Sequence, residues 1–246
     1  MSSKDLTFTV SARGKLDYLT MDKFLNMYQS VIGDGCISSV YGFSTFSPLY
    51  GGRSFATPDL KESDIDYLAD NDIGFRIPLT SSIFTEDSYE RTKPLLDKHH
   101  NKLNSIICTN DMLAKRIRED YSEYKIEASV IKNIKLSKIS ENLDIYDSVV
   151  LPMKTNDDID GLVGIEEKDR IILFANAGCA YNCPSKVCYQ TISRKHNQTG
   201  RRSDLMCSEG IVPRENLGLV ADVGSKAFDL EMLSGLGFKN FKVIPL

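Results

Sequence analysis

The chain has 246 residues and a net charge of −4, with a sequence pI of about 5.5. That balance excludes a global attraction to nucleic acid, and no apolar run reaches the roughly 18–20 residues that cross a bilayer. The N-terminal MSSKDLTFTVSARGK has no signal-peptide core, so the expectation is a cytoplasmic protein without membrane insertion, in which cysteines serve metal or redox chemistry rather than disulfides.

Strand-like and helix-like segments alternate along the chain. Residues 6–12 (LTFTVSA) alternate apolar and polar side chains as a half-buried strand does. Residues 17–32 read as one helix, with Thr20 at its N-cap and Phe24, Met27, Tyr28 and Val31 at helical spacing; Gly33 and Gly35 end it. A strand over 36–41 runs into the loop GFSTFSPLYGGRSF (42–55). Then follow a short helix (63–70), a strand (73–79), a helix (88–102), a strand (105–109) and a helix (111–121). Further strands are expected at 124–131, 148–153 and 170–175, with a short helix at 157–163. A last strand at 241–245 closes the chain.

Eight strands, most followed by a helical segment, predict an α/β fold of the (β/α)₈ type, a TIM-like barrel lacking its final helix, as one domain over residues 1–246. An open doubly wound sheet is the alternative. The strands are apolar through most of their length, as parallel strands covered on both faces must be.

Four of the six cysteines fall within 29 residues, in the segment 176–210. Three residues separate Cys179 from Cys183, four separate Cys183 from Cys188, and eighteen separate Cys188 from Cys207. The first pair follows the seventh strand, at the rim where parallel α/β proteins place their chemistry. Thiolates select zinc or iron–sulfur clusters. Zinc sites usually come as two paired knuckles; three close cysteines and one remote suit a [4Fe–4S] cluster better. Zinc, and unligated core cysteines, are the alternatives.

Other residues carry weaker signals. Cys36 is a reserve ligand or an ordinary buried cysteine, and Cys108, in the apolar SIICT, belongs to the core. Arg53, in the aromatic and hydroxyl-rich loop, is either a clamp for an anionic substrate group or a surface arginine. Arg76 interrupts the apolar IGFRIPL, and a buried charge needs a partner; it is expected to point into the barrel mouth, with Glu127 of KIEASV as a candidate partner. His196 is a candidate proton donor near the cysteines or an exposed residue beside Lys195. His99 and His100 are expected at the surface of a helix end. Arg194, Lys195, His196, Arg201 and Arg202 form a basic run, either a solvated loop or a site for RNA or a small anion. Walker, Rossmann, Gly-x-Ser-x-Gly and His-Glu-x-x-His motifs are absent, which weakens hydrolase readings.

The segment NAGCAYNCPSKVCYQTISRKHN (176–197) resembles the signature of the U32 peptidase-like proteins. SVVLPMKTNDDIDGLVGIEEKDRIILFAN, with Asn156 and Asp157 at its turn, is similar to that family's preceding strand–helix–strand. IVPRENLG and GFKNFKVIPL are similar to its later segments, although the chain ends Ile-Pro-Leu where Gly-Arg is usual and its cysteine spacing differs. The resemblance covers residues 146–246. It implies a (β/α)₈ barrel with a [4Fe–4S] cluster on Cys179, Cys183, Cys188 and Cys207. It further implies a redox enzyme or subunit for oxygen-independent hydroxylation of a small aromatic or RNA-base substrate, with Arg194 and His196 near the cluster; Arg76, His196 and Arg53 are the candidate catalytic residues that the sequence itself suggests. An interaction module stapled by a cluster or zinc, acting with a partner subunit, is the second reading; a peptidase is the third.

Overall fold

Eight short runs rich in β-branched and aromatic residues form the strands, and each is too short to bury both faces alone. They are β1 (Thr7–Ser11), β2 (Cys36–Tyr41), β3 (Gly74–Leu79), β4 (Ser105–Cys108), β5 (Lys125–Ala128), β6 (Ser148–Val150), β7 (Ile171–Phe174) and β8 (Asn240–Val243). In the computed structural model, which describes residues 5–181, 187–197 and 226–245, every strand pairs in parallel with the next. β8 returns to β1, from Thr7↔Asn240 to Val10↔Val243. The sheet is therefore a closed eight-stranded barrel rather than an open sheet. One register slip falls between Phe8 and Thr9, whose partners on β2 are Ile37 and Ser39.

Alternation along the strands divides the barrel into two faces. Phe8, Val10, Phe75, Ile77, Ile106, Phe241 and Val243 are buried and join the hydrophobic core with helix residues such as Phe24, Leu68, Leu96 and Leu113; Phe8 and Phe241 stack at 5.8 Å. Thr9, Ser39, Tyr41, Arg76, Glu127 and Lys242 take the other face. Arg76 on β3 and Lys242 on β8 both touch Glu127 on β5, and residues of non-adjacent strands meet only across the interior.

The helices are more broken than the sequence periodicity predicts. Residues 17–32 give α1 (Met21–Asn26) and α2 (Gln29–Ile32), interrupted where the Tyr28 hydroxyl donates to Ser11 O at 2.5 Å. Thr20 stands at the N-cap of α1, but its hydroxyl accepts no backbone hydrogen bond there. After α3 (Glu62–Asp70), the expected 88–102 helix is split into α4 (Glu86–Glu90) and α5 (Lys93–His99), with Pro94 in the first turn of α5, where a missing N–H costs nothing. The strand predicted over 124–131 stops at Ala128, because Ser129 caps a 3₁₀ turn over Val130–Lys132.

α6 (Asp111–Asp120) is capped by the Asn110 side chain. α7 (Ile139–Leu143), α8 (Ile159–Val163), α9 (Val187–Asn197) and α10 (Leu230–Gly235) complete the described helices; α7, α9 and α10 carry no clear sequence signal. Among the described residues none of these helices is long and apolar enough to cross a membrane, and no helix follows β8.

Candidate active site at the carboxyl rim

Glu127 organises the barrel interior. Its two carboxylate oxygens are shared: Oε2 accepts from Arg76 Nη1 and Oε1 from Lys242 Nζ at 2.6 Å. Arg76 Nε also donates to Ser39 Oγ at 2.7 Å, and Ser39 Oγ lies 2.9 Å from Thr9 Oγ1. The Lys242 ammonium sits over the Tyr41 ring, 4.6 Å from its centroid. Burial pushes the Glu127 carboxyl up, but Lys242 and then Arg76 outweigh it and hold the group below its ordinary value. Burial presses Lys242 down, against the pull of Glu127. It also raises the Tyr41 phenol to about 12.

The sequence expectation for Arg76 named both its direction and its partner, and the structure brings the two together. Lys242 was missed, although the signal was the same: a charge inside the apolar run FKVIP.

Loop 42–55 packs above the β2 end of this interior. Phe43 and Tyr50 stack at 4.2 Å, and the Arg53 guanidinium lies 4.0 Å from the Phe43 centroid. Arg53 is ion-paired with Asp59, whose Oδ2 also accepts from Phe43 N at 2.7 Å. The structure thus places Arg53 as a half-buried, paired residue that ties the loop to Asp59. Gly51 lies so close to Thr80 that a Cβ there would run into the Thr80 carbonyl oxygen.

His196 is buried at the end of α9, and both ring nitrogens are used. Nδ1 lies 2.7 Å from Tyr50 O, and Nε2 accepts from Phe55 N at 3.1 Å. Nδ1 therefore carries the proton, the ring is neutral, and burial holds its pKa below the ordinary histidine value. Asn197 Nδ2 donates to Pro48 O at 2.8 Å, and Ser82 N donates to Ser193 Oγ at 3.1 Å. α9 is clasped by these contacts onto the loops that follow β2 and β3. Arg194 and Lys195 on the same helix are exposed.

Cys179 is fixed from the other side. It follows β7, at the start of a 3₁₀ turn over Cys179–Tyr181. Asn176 pairs with both backbone groups of Ile244, donating to its O at 3.1 Å and accepting from its N at 2.9 Å. Ala177 N donates to Lys226 O at 2.8 Å. The Tyr181 hydroxyl donates to Asp157 Oδ2 at 2.5 Å, and Lys226 Nζ reaches Asp157 Oδ1 at 2.9 Å and the Tyr181 oxygen at 2.7 Å. Cys179 thus sits at the β7–β8 side of the rim, while α9, which carries Cys188 in its first turn, ends against the β2–β3 side.

The remaining sequence expectations fall as follows. Cys183, Cys207, Arg201 and Arg202 lie outside the described residues. Among the described residues no group of three or more His, Cys, Asp or Glu side chains is placed to hold a metal.

Cys36 is exposed and is the first residue of β2, paired with the first residue of β1. It lies at the amino end of the barrel, roughly 16 Å from the carboxyl rim at about 3.3 Å per residue. That corrects both earlier readings of it, since it is neither buried nor near the rim cysteines. Cys108 is buried in the core, its thiol pushed up to about 12 by burial. His99 is a further correction: it is buried and meets the Phe75 ring edge-on at 5.3 Å, because the last turn of α5 packs on the barrel.

Compared with the solved structure of the U32 peptidase Mk0906, the chain gives a TM-score of 0.64 over 98 % of its own length and 92 % of the other's. The barrel has the fold of a U32 peptidase. Sequence identity is 12 %, so the likeness is one of fold. No protein-family model and no curated protein matches the chain. Cys179 stands past the carboxyl end of β7, where the strand expected at 170–175 places it.

Proposed function

We propose that the chain is a redox protein that holds a [4Fe–4S] cluster at the carboxyl rim of its U32-type barrel, on Cys179, Cys183, Cys188 and Cys207. The observation that carries this reading is the double clasp around the cysteine segment. Tyr181, Asp157 and Lys226 fix it beside Cys179, and His196 and Asn197 fix the helix of Cys188. Holding both ends of a Gly-, Asn- and Pro-containing stretch limits the entropy lost when several thiolates gather on one centre. The donor set also fits, because four thiolates suit a cubane cluster.

When bound, such a cluster accepts and passes single electrons. The chain's own residues would do the rest. Arg76 and Tyr41 face the barrel centre, where a substrate entering from the rim would place its head group. The packed Phe43–Tyr50–Phe55 cluster stiffens the loop beside it, with Phe55 only partly buried, and Arg53 keeps that loop on Asp59. His196, with both nitrogens committed to main-chain atoms, positions α9 rather than moving a proton. The substrate class that suits this lining and the family resemblance is a small aromatic or a nucleobase, hydroxylated without dioxygen.

The test is the metal content of anaerobically purified protein, joined to a comparison of modified nucleosides and quinone intermediates in a deletion strain and its parent. Roughly four iron and four sulfide per chain, with one product class missing from the deletion strain, support the reading. One zinc and no sulfide would make the segment a structural staple and point to an interaction module.

A further inference from the structure

Among the described residues, the charges inside the barrel do not cancel. Arg76 and Lys242 are positive and Glu127 is negative, which leaves one positive charge in a region where Lys242 and Glu127 are 5 % and 1 % exposed. Among the described residues, Glu127 is the carboxylate hydrogen-bonded to both cations. Arg53, the nearest cation of the rim loop, is already neutralised by Asp59. Burying an uncompensated charge is costly, and here two cations are drawn onto the two oxygens of a single carboxylate.

We infer that the barrel interior binds a small monocarboxylate through Arg76 and Lys242. The count of charge selects a monoanion, since one negative charge completes the neutralisation and a phosphate dianion overshoots it. Donors remain for it. Among the described residues Arg76 donates through Nε and Nη1 and Lys242 gives one of its three N–H groups to Glu127, which leaves Arg76 Nη2 and two Lys242 N–H groups as donors.

The inner face is also divided in a way that suits an organic acid. By strand register, Val150, Ile172 and Phe174 share the inner face with Lys242, and all three are buried. Hydroxyls and charges occupy the β1–β3 side, through Thr9, Ser39, Tyr41 and Arg76. A carboxylate on the cations would enter from the rim and keep its carbon skeleton on the rim side of these buried apolar residues. Entry is from the side of Arg76, whose side chain is 19 % exposed.

The inference is independent of the cluster, and its test is arranged to keep the two apart. Isothermal titration of the full chain, with its metal and after iron chelation, uses benzoate, acetate and inorganic phosphate as probes at constant ionic strength. Saturable binding of benzoate in both preparations is expected, tighter than that of phosphate. Arg76→Gln and Lys242→Gln should each weaken it by roughly thirtyfold or more, as loss of one partner of a buried charge pair does.

Because either variant can fail to fold, the melting temperature of the wild-type chain supplies a second readout. It should rise with benzoate concentration as ligand linkage requires and stay unchanged with equal chloride. Three results would overturn the inference: no benzoate-specific heat or melting shift in the wild type, phosphate binding at least as tight as benzoate, or undiminished benzoate binding in folded Arg76→Gln and Lys242→Gln. A cluster-free protein that still binds benzoate leaves the inference standing and counts against the redox reading alone.

Discussion

The two faces of the barrel strands obey the same alternation and face different solvents. On β8, Phe241 and Val243 point outward into an apolar layer, while Lys242 between them points inward to Glu127. On β3, Phe75 and Ile77 flank Arg76 in the same way. The outer face gains stability from apolar area, about 1.5–3 kcal/mol for each fully buried large side chain. The inner face uses that gain to hold charges that a stability argument alone would not retain. The contrast separates what makes the barrel fold from what makes it useful.

The largest effect is expected from breaking the inner face at its centre. Glu127→Leu leaves the buried Lys242 and the partly buried Arg76 without their shared carboxylate and should destabilise the chain by about 3–5 kcal/mol in denaturant unfolding. An outer-face Leu173→Ala, which only opens a cavity, falls in the range of about 2–5 kcal/mol. The sharper comparison replaces the whole triad, with Arg76→Met, Glu127→Leu and Lys242→Met together. That chain should be as stable as the wild type or more so, by up to about 4 kcal/mol, and should bind no benzoate. A triple variant that unfolds like Glu127→Leu alone would show that the triad serves the fold.

A smaller effect belongs to the clasp on α9. His196→Asn loses hydrogen bonds to Tyr50 O and Phe55 N, worth about 1 kcal/mol each. Its pH dependence follows from the burial that holds the folded His196 pKa below its ordinary value. The unfolded chain then binds the proton more readily, so the contribution is full above about pH 6.5 and is lost as pH falls through that value toward the folded pKa. His99 is shifted in the same direction, so the measurement is the difference between wild-type and His196→Asn stability across pH 5–8, which should narrow on the acid side. The smallest effect, about 0.5–1.5 kcal/mol for an outer-face Ile77→Val, should show no dependence on benzoate.

The barrel was largely legible because its strands are short apolar runs separated by helical stretches. Their ends were less so, since Ser129 caps a turn where the apolar run continues through Val130 and Ile131, and Pro94 starts a new helix inside the expected 88–102 segment. Arg76 and Glu127 stood out as lone charges among apolar neighbours. Lys242 did so too, but its partner is 115 residues away. The role of His196 had no such signal, because its partners are main-chain atoms 141 and 146 residues earlier. The place of Cys36 at the amino end was implicit in the strand expected over 36–41, but its exposure was not.

The most direct test of the redox reading is electron paramagnetic resonance of the full chain, purified without oxygen and reduced with dithionite, beside Cys188→Ala. The account predicts the spectrum of a reduced [4Fe–4S] cluster in the wild type and its loss or alteration in the variant. A silent wild-type sample that carries stoichiometric zinc, or a cluster signal untouched by removing Cys188, would contradict it.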